Sequence, residues 1–311
     1  MNQKLHTQSV RPWRELVRHR RGLTRNSHPV LLMVALVLLS AQLMLGMSES
    51  AAQSTQPGSN IRVPNFWDPN RRYEKPDIKQ LPAIRFVSTK DFPPFNFRDP
   101  EGRYTGFHID MARELCAILN HPCSIQWRPF DQLITAVREE QADAIIAGLT
   151  ISAEHRRELQ FSDVYLRLPG RFAGRHDAAP FAPDDPRSPV VAVVAGSAHE
   201  RFLLDSFPKL KLQPTLTMDA ATKAVRDGTA EFVFADGLAL SFWLSGATSA
   251  NCCRYFGGPY LDSGYFGHGF AIAVKKGNAD LESALNYALA ELHKQGKYAE
   301  IYLRYFPYSF F

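Results

Sequence analysis

From Ile84 onward, short apolar runs stop abruptly and hand over to stretches of helical periodicity, and they do so several times. Ile84–Ser88, Ser124–Trp127, Ala142–Ala147, Val190–Val194, Glu231–Ala235 and Phe270–Val274 each read as a strand, too short and too β-branched or apolar to be a surface helix. Three of these runs end at Gly148, at Gly196 and at Asp236. Between them, Met111, Leu115, Ile118 and Leu119 share one helical face behind Asp110, and Leu133, Ile134 and Val137 share another behind a capping Asp131. A longer helix is expected from about Asp280 to Gln295. This βαβα alternation predicts an α/β fold with a largely parallel sheet and helices on both faces. In such folds ligands bind at the C-terminal ends of the strands.

The first fifty residues belong to a different regime. Lys4, Arg11, Arg14, Arg18, Arg20, Arg21 and Arg25 precede an almost wholly apolar Val30–Met47, and Ser50-Ala51-Ala52 supplies small residues at a cleavage spacing. This predicts a signal peptide over 1–52 and export across the membrane. An uncleaved anchor fits the same stretch, since a run of about 18 apolar residues approaches the minimum for a span. No cysteine precedes Cys116, so there is no lipid tether to expect. The leader also accounts for the net charge of +5, because residues 53–311 carry equal numbers of basic and acidic side chains. That balance, with no basic stripe interleaved with aromatics, excludes a nucleic-acid partner. Residues 53–83 are rich in Ser, Gln, Pro and Asn and read as a linker whose Phe66-Trp67 end docks as an N-terminal arm.

The stretch Asp91-Phe-Pro-Pro-Phe-Asn-Phe-Arg-Asp-Pro-Glu-Gly-Arg-Tyr-Thr-Gly-Phe-His-Ile-Asp110 joins the first strand to the first helix through two proline turns. It resembles the first-lobe signature of the bacterial extracellular solute-binding proteins of the amino-acid-receptor family (family 3, the periplasmic components of ABC importers). Phe256-Gly-Gly-Pro259, Gly277-Asn-Ala-Asp-Leu281 and Gly296-Lys-Tyr298 resemble further landmarks of that family. The resemblance implies a type II periplasmic-binding-protein fold: two lobes, each a mostly parallel sheet flanked by helices, joined by two hinge crossings near Leu168–Gly174 and Gly267–Ala273. Lobe one is then 84–170 plus 269–311, and lobe two is 171–268. The implied function is capture of an amino acid or amino-acid-like molecule in the cleft by hinge closure, as a monomer that docks on a membrane permease, with no cofactor.

The ligand-binding residues expected on that basis are Phe92, Phe130, Gly148, Thr150, Arg156, Ser197 and Asp236. Phe92 and Phe130 follow strands, and their rings suit aliphatic or cationic groups. Gly148 permits close backbone approach, Thr150 offers a hydroxyl, and Ser152 can cap a helix whose N-terminus favours a carboxylate. Family members carry an arginine one turn into this helix to grip the ligand's α-carboxylate. Here His155 stands there, followed by Arg156 and Arg157. Neighbouring helix positions point about 100° apart, so His155 and Arg156 cannot share the cleft equally: either Arg156 reaches in as the clamp, the reading taken, or the grip on the carboxylate is weakened. Ser197 with Glu200 has capping-box spacing and resembles a carboxylate-contacting hydroxyl. Asp236 resembles the acid that pairs with the ligand's amino group, and a carboxylate at a strand end followed by Gly237 has no evident structural purpose.

In an unbroken helix, residues seven apart such as Cys116 and Cys123 lie about 10.5 Å apart, too far to bridge. Asn120-His-Pro122 breaks the helix between them. The resemblance, in which the same spacing is bridged in some members, implies a Cys116–Cys123 disulfide. For Cys252-Cys253 a vicinal bridge, free thiols and crosslinking all stay open. The ten histidines show no metal-ligand spacing. An enzyme remains the alternative, because a periplasmic cyclohexadienyl dehydratase resembles the same fold. That chemistry needs a general acid in the cleft, and no further cleft carboxylate stands out for the role. Where basic-amino-acid receptors often hold an extra acid, the first loop reads Thr89-Lys90-Asp91.

Overall fold

The computed structural model describes residues 63–311 apart from 69, 79, 80, 183–185, 307 and 308. The expected leader and the start of the linker lie outside these residues. Two five-stranded sheets carry the fold, in the orders β4-β1-β5-β12-β6 and β11-β7-β10-β8-β9.

The first sheet takes β1 (Ile84–Ser88), β4 (Cys123–Trp127), β5 (Ala144–Ile145), β6 (Leu159–Phe161) and β12 (Ala273–Lys275). A small hairpin of β2 (Phe97–Arg98) and β3 (Tyr104–Thr105) precedes helix α1 (Phe107–Leu119). The short helices α2 (Leu133–Arg138) and α3 (His155–Glu158) follow β4 and β5. Strand β1 runs parallel to both β4 and β5. The pleat sends neighbouring side chains to opposite faces. Phe86, Ala144 and Val274 face a core shared with Met111, Leu115 and Leu289, whereas Val87, Ile145 and Ala273 face Leu133 and Val137.

The second sheet takes β7 (Gly170–Arg175), β8 (Val190–Val194), β9 (Lys211–Thr215), β10 (Phe232–Asp236) and β11 (Cys253–Tyr260). Its helices are α4 (Ala198–Ser206), α5 (Met218–Arg226), α6 (Gly237–Ser245) and the single turn α7 (Ser263–Phe266). One face packs Ala192, Val233 and Ala235 against Ala221, Val225 and Leu240. The other packs Phe172, Phe232 and Phe234 against Phe202 and Leu203. In both sheets the strands β7, β11 and β12 run antiparallel to their neighbours. β7 and β12 are the strands that receive the chain as it crosses from the other sheet, and they enter against the direction of the parallel set.

The two crossing segments are bonded to each other. Phe270 N donates to Leu166 O at 2.7 Å, and Tyr165 N donates to Phe270 O at 2.9 Å. The chain ends in α8 (Ala279–Lys294), α9 (Lys297–Tyr305) and a short tail, all packed on the first sheet. The arm docks there too. Val63, Phe66, Trp67, Ile78 and Leu81 pack on this core, Trp67 stacks on His293 at 4.8 Å, and Arg71 and Tyr73 both bond Asp163.

Two local expectations are corrected. Asp110 does not open α1: the helix begins at Phe107 behind Gly106, and Asp110 instead bonds Arg304 and Tyr305. Asp131 does not cap α2, because residues Phe130–Gln132 form a 3-10 turn that runs into the helix without a side-chain cap. In both places the aromatic just upstream (Phe107, Phe130) already belongs to the helical segment. Cys116 and Cys123 are joined in a disulfide with Cα atoms 6.1 Å apart. Asn120 makes this reachable by ending α1 in a left-handed conformation. Cys252 and Cys253 are joined to each other.

Candidate functional site

Three adjacent parallel strands, in the order β4-β1-β5, end on the same side of the first sheet, and the loops that leave them enclose a cavity of about 600 Å³. Residues 89–92 follow β1, 127–130 close β4, and 147–148 follow β5, so each strand delivers one wall. Phe92, Trp127 and Phe130 supply the apolar lining, while Lys90, Asp91 and Arg128 supply the charge. Phe92 is 36% exposed and Phe130 53% exposed, far more than the core phenylalanines. Rings left open to water at a cavity mouth have apolar area still to bury.

The first loop is fixed from below. Phe92 stacks on Phe95 at 4.7 Å, and Phe95 in turn stacks on the fully buried His108 at 4.8 Å. Asn96 Nδ2 donates to Thr89 Oγ1 on the cavity wall at 3.2 Å. Its amide oxygen is then free to accept from His108 Nδ1 at 3.1 Å, while His108 Nε2 accepts the Tyr165 hydroxyl at 2.9 Å. That polarity requires a neutral imidazole, and burial alone pushes the His108 pKa down to about 3. Gly148 closes the floor with φ at +70°, and a Cβ there would lie 3.0 Å from the Phe92 ring and 3.3 Å from the Phe270 ring.

Phe92, Phe130 and Gly148 therefore come together, whereas the other expected residues lie elsewhere. Thr150 bridges Phe270 and gives its carbonyl to His155 Nδ1 at 2.7 Å. Ser152 Oγ accepts from His155 N at 3.1 Å, but Glu154 stands at the N-cap of α3 without a side-chain cap, and α3 is a single turn whose dipole is correspondingly small. Arg156 leans over the Phe161 ring at 5.6 Å and feels Glu282, away from the cavity walls. Ser197 caps α4: its hydroxyl accepts from Glu200 N at 3.1 Å and donates to Val194 O at 2.6 Å, while the Glu200 carboxylate accepts from Gly196 N. The start of α4 is thus already occupied by an acid of its own.

Asp236 has a structural purpose after all, since its Oδ1 accepts from Ala239 N at 2.9 Å as the N-cap of α6. Burial raises its pKa despite the bonds from Ala239 and Leu238. Its other carboxylate oxygen makes no side-chain bond among the described residues.

Sequence reasoning missed Trp127 and Arg128 at the cavity, Phe270 behind its Gly148 floor, and Arg171 at the start of β7. Arg171 is 5% exposed; its guanidinium lies over the Tyr255 ring at 4.4 Å, and among the described residues Nε and Nη1 have no hydrogen-bond partner. Burial lowers its pKa. Gly237 leaves the space its stem needs, because a Cβ there would sit 2.9 Å from Arg171 Cγ. Among the described residues no group of His, Cys, Asp and Glu is arranged to hold a metal ion. No helix of these residues is long and apolar enough to cross a membrane.

The profile of the bacterial extracellular solute-binding proteins, family 3, matches residues 84–308. The chain is 28% identical over 228 residues to ABC transporter arginine-binding protein 1 of Escherichia coli (strain K12), covering 72% of this chain and 90% of that one. It superposes on the unliganded, open L-cystine solute receptor of Neisseria gonorrhoeae with a TM-score of 0.65 at 16% identity, over 73% of this chain and 94% of the other. An ancestral cyclohexadienyl dehydratase shares the fold as well, with a TM-score of 0.60 at 23% identity over 72% and 92% of the two chains. With the two-sheet architecture and the strand-end cavity already in place, the match over 84–308 settles the family: this chain belongs to the bacterial extracellular solute-binding proteins, family 3.

Proposed function

We propose that the protein is the substrate-binding component of an ABC importer, exported to the periplasm behind its leader, that captures an amino acid or amino-acid-like molecule between its lobes. The observation that carries this reading is the cavity at the ends of β4, β1 and β5, with Phe92 and Phe130 left exposed over Gly148. Hinge bending at the paired crossings brings lobe two over it, so that Asp236 meets the ligand's ammonium group while the rings cover its apolar part. The same closure brings Thr150, Ser197 and Arg156 to the ligand. The closed form is the one a permease recognises, and the protein acts as a monomer. The arginine-binding name of the Escherichia coli relative supports an amino-acid ligand and an ABC partner. The dehydratase likeness concerns the fold alone, so the reading here is binding without turnover.

Calorimetric titration with the common amino acids tests it. Binding at micromolar concentration or tighter, lost in Asp236→Ala, is the expected result. Turnover of prephenate or arogenate would replace the receptor reading with the enzymatic one, and a folded protein that binds no amino acid would remove it.

A further inference from the structure

The cavity's charge runs opposite to what a receptor for arginine needs. Its walls hold two cations, Lys90 and Arg128, against one acid, Asp91. Several arginines elsewhere in the first lobe are tied to carboxylates: Arg85 to Asp143, Arg103 to Asp99, and Arg113 and Arg304 to Asp110, while Arg98 bonds the Tyr104 hydroxyl instead. Among the described residues neither Lys90 nor Arg128 has such a partner. The Arg128 guanidinium makes one bond, to the carbonyl of its own neighbour Trp127 at 3.0 Å, which leaves most of its five donors free.

Arg128 is also well placed to act. Its backbone N–H donates to Ser88 O at 3.0 Å, which ties the end of β4 to the end of β1 and fixes the side chain's root on the sheet. It is half-buried between Trp127 and the Pro129-Phe130 turn, where a planar guanidinium is screened less than on an open surface. Asp91 is exposed and adjacent to Lys90, and it offsets one positive charge at most. The wall that remains is apolar with a positive end. It complements a molecule with an apolar body and an anionic terminus.

We infer that the ligand carries an acidic group at its far end, read by Arg128 with help from Lys90, so that dicarboxylic amino acids and their N-carboxyalkyl derivatives are preferred over arginine and lysine. This rests on the amino-acid reading above and adds to it a charge preference opposite to the one named for the Escherichia coli relative. Arg128 also lies on the opposite side of Phe92 from α3 in strand order, so it acts at the ligand's far end and does not replace a clamp on the α-carboxylate.

The test is calorimetric titration of the purified full chain, unfolded in denaturant without reductant and refolded to strip carried-over ligand. L-Glutamate, L-2-aminoadipate, L-arginine, L-lysine and L-norleucine are compared against the wild type, Arg128→Gln and Lys90→Gln. The acidic ligands should bind at least about tenfold tighter than arginine, and added salt should reduce that margin. Arg128→Gln should remove most of the margin and Lys90→Gln part of it, while norleucine changes little in either. Lys90 is exposed and makes no side-chain bond among the described residues, so its variant stays interpretable if Arg128→Gln unfolds. Tighter binding of arginine or lysine, or an acidic preference that survives both substitutions, overturns the inference and leaves the amino-acid reading intact. A folded wild type that binds none of the five overturns the inference, and one that binds none of the common amino acids removes the amino-acid reading with it.

Discussion

Phe130 and His108 separate what a residue does for the ligand from what it does for the fold. Phe130 is 53% exposed, so Phe130→Ala deletes little buried area in the free protein. It should leave the melting temperature nearly unchanged while weakening ligand binding about tenfold, the loss expected when one ring's worth of burial, about 1.5 kcal/mol, goes missing from the complex. Calorimetry beside a thermal scan reads both quantities. His108 behaves in the opposite way. Its folded pKa is pushed down to about 3 by burial, whereas the unfolded chain protonates near the ordinary 6.5. The unfolded state therefore binds the extra proton first, and the stability His108 contributes is whole above about pH 6.5 and lost as pH falls toward 3. The slope approaches about 1.4 kcal/mol per pH unit. His108→Gln should begin less stable at pH 7 and then decline less steeply between pH 6.5 and 4.5 in urea titrations. Parallel curves would show that the imidazole is not the group responsible. His199, lowered to about 4 by burial, titrates in both proteins and leaves a residual slope.

At the scale of elements, most parallel strands were legible because each is a short apolar run with a hard stop, and the residues after β1, β4 and β5 are the cavity walls; β9, which mixes lysine, glutamine and proline, was not legible. Of the antiparallel strands, β12 was legible as the end of the Phe270–Val274 run, whereas β7 and β11 were not. Gly170–Arg175 and Cys253–Tyr260 mix glycine, arginine and aromatics and show neither alternation nor a continuous apolar run. Arg128 was equally hidden: a basic residue between tryptophan and proline has no periodicity, and only the β4-β1 pairing brings it beside Lys90 and Phe92. Arg156 stands out in the sequence because position along a helix is the available guide, yet α3 is one turn long and Phe161 offers its side chain a platform. The cysteines divide in the same terms. The Cys116–Cys123 bridge closes a loop of eight residues between α1 and β4. The double Cys116→Ser/Cys123→Ser variant should lose about 2–3 kcal/mol in denaturant unfolding. The Cys252–Cys253 bridge closes no loop between elements, so the matching double variant should cost less than about 1 kcal/mol.

For the molecule as a whole, the arm and the crossings share the first lobe. Trp67 against His293 and Tyr298, with Arg71 and Tyr73 on Asp163, fastens the arm across α8 and beside the segment that leads into the first crossing. Trp67→Ala should lower stability by about 3 kcal/mol and the melting point by several degrees. Affinity should stay within about twofold, because none of these residues touches the cavity. A shift in affinity as large as the shift in stability would place the arm in the binding cycle instead. The two-lobe plan could be read from the sequence through the family likeness of its landmarks; the mutual bonding of the crossings could not, since it depends on Phe270 and Leu166 meeting from segments about a hundred residues apart. The placement of Lys90 and Arg128 also bears on how a receptor like this diversifies. Both sit just past strand ends and, among the described residues, make no side-chain bond to another element. Exchanging these two side chains therefore changes the charge a ligand meets while leaving the contacts that hold the scaffold in place.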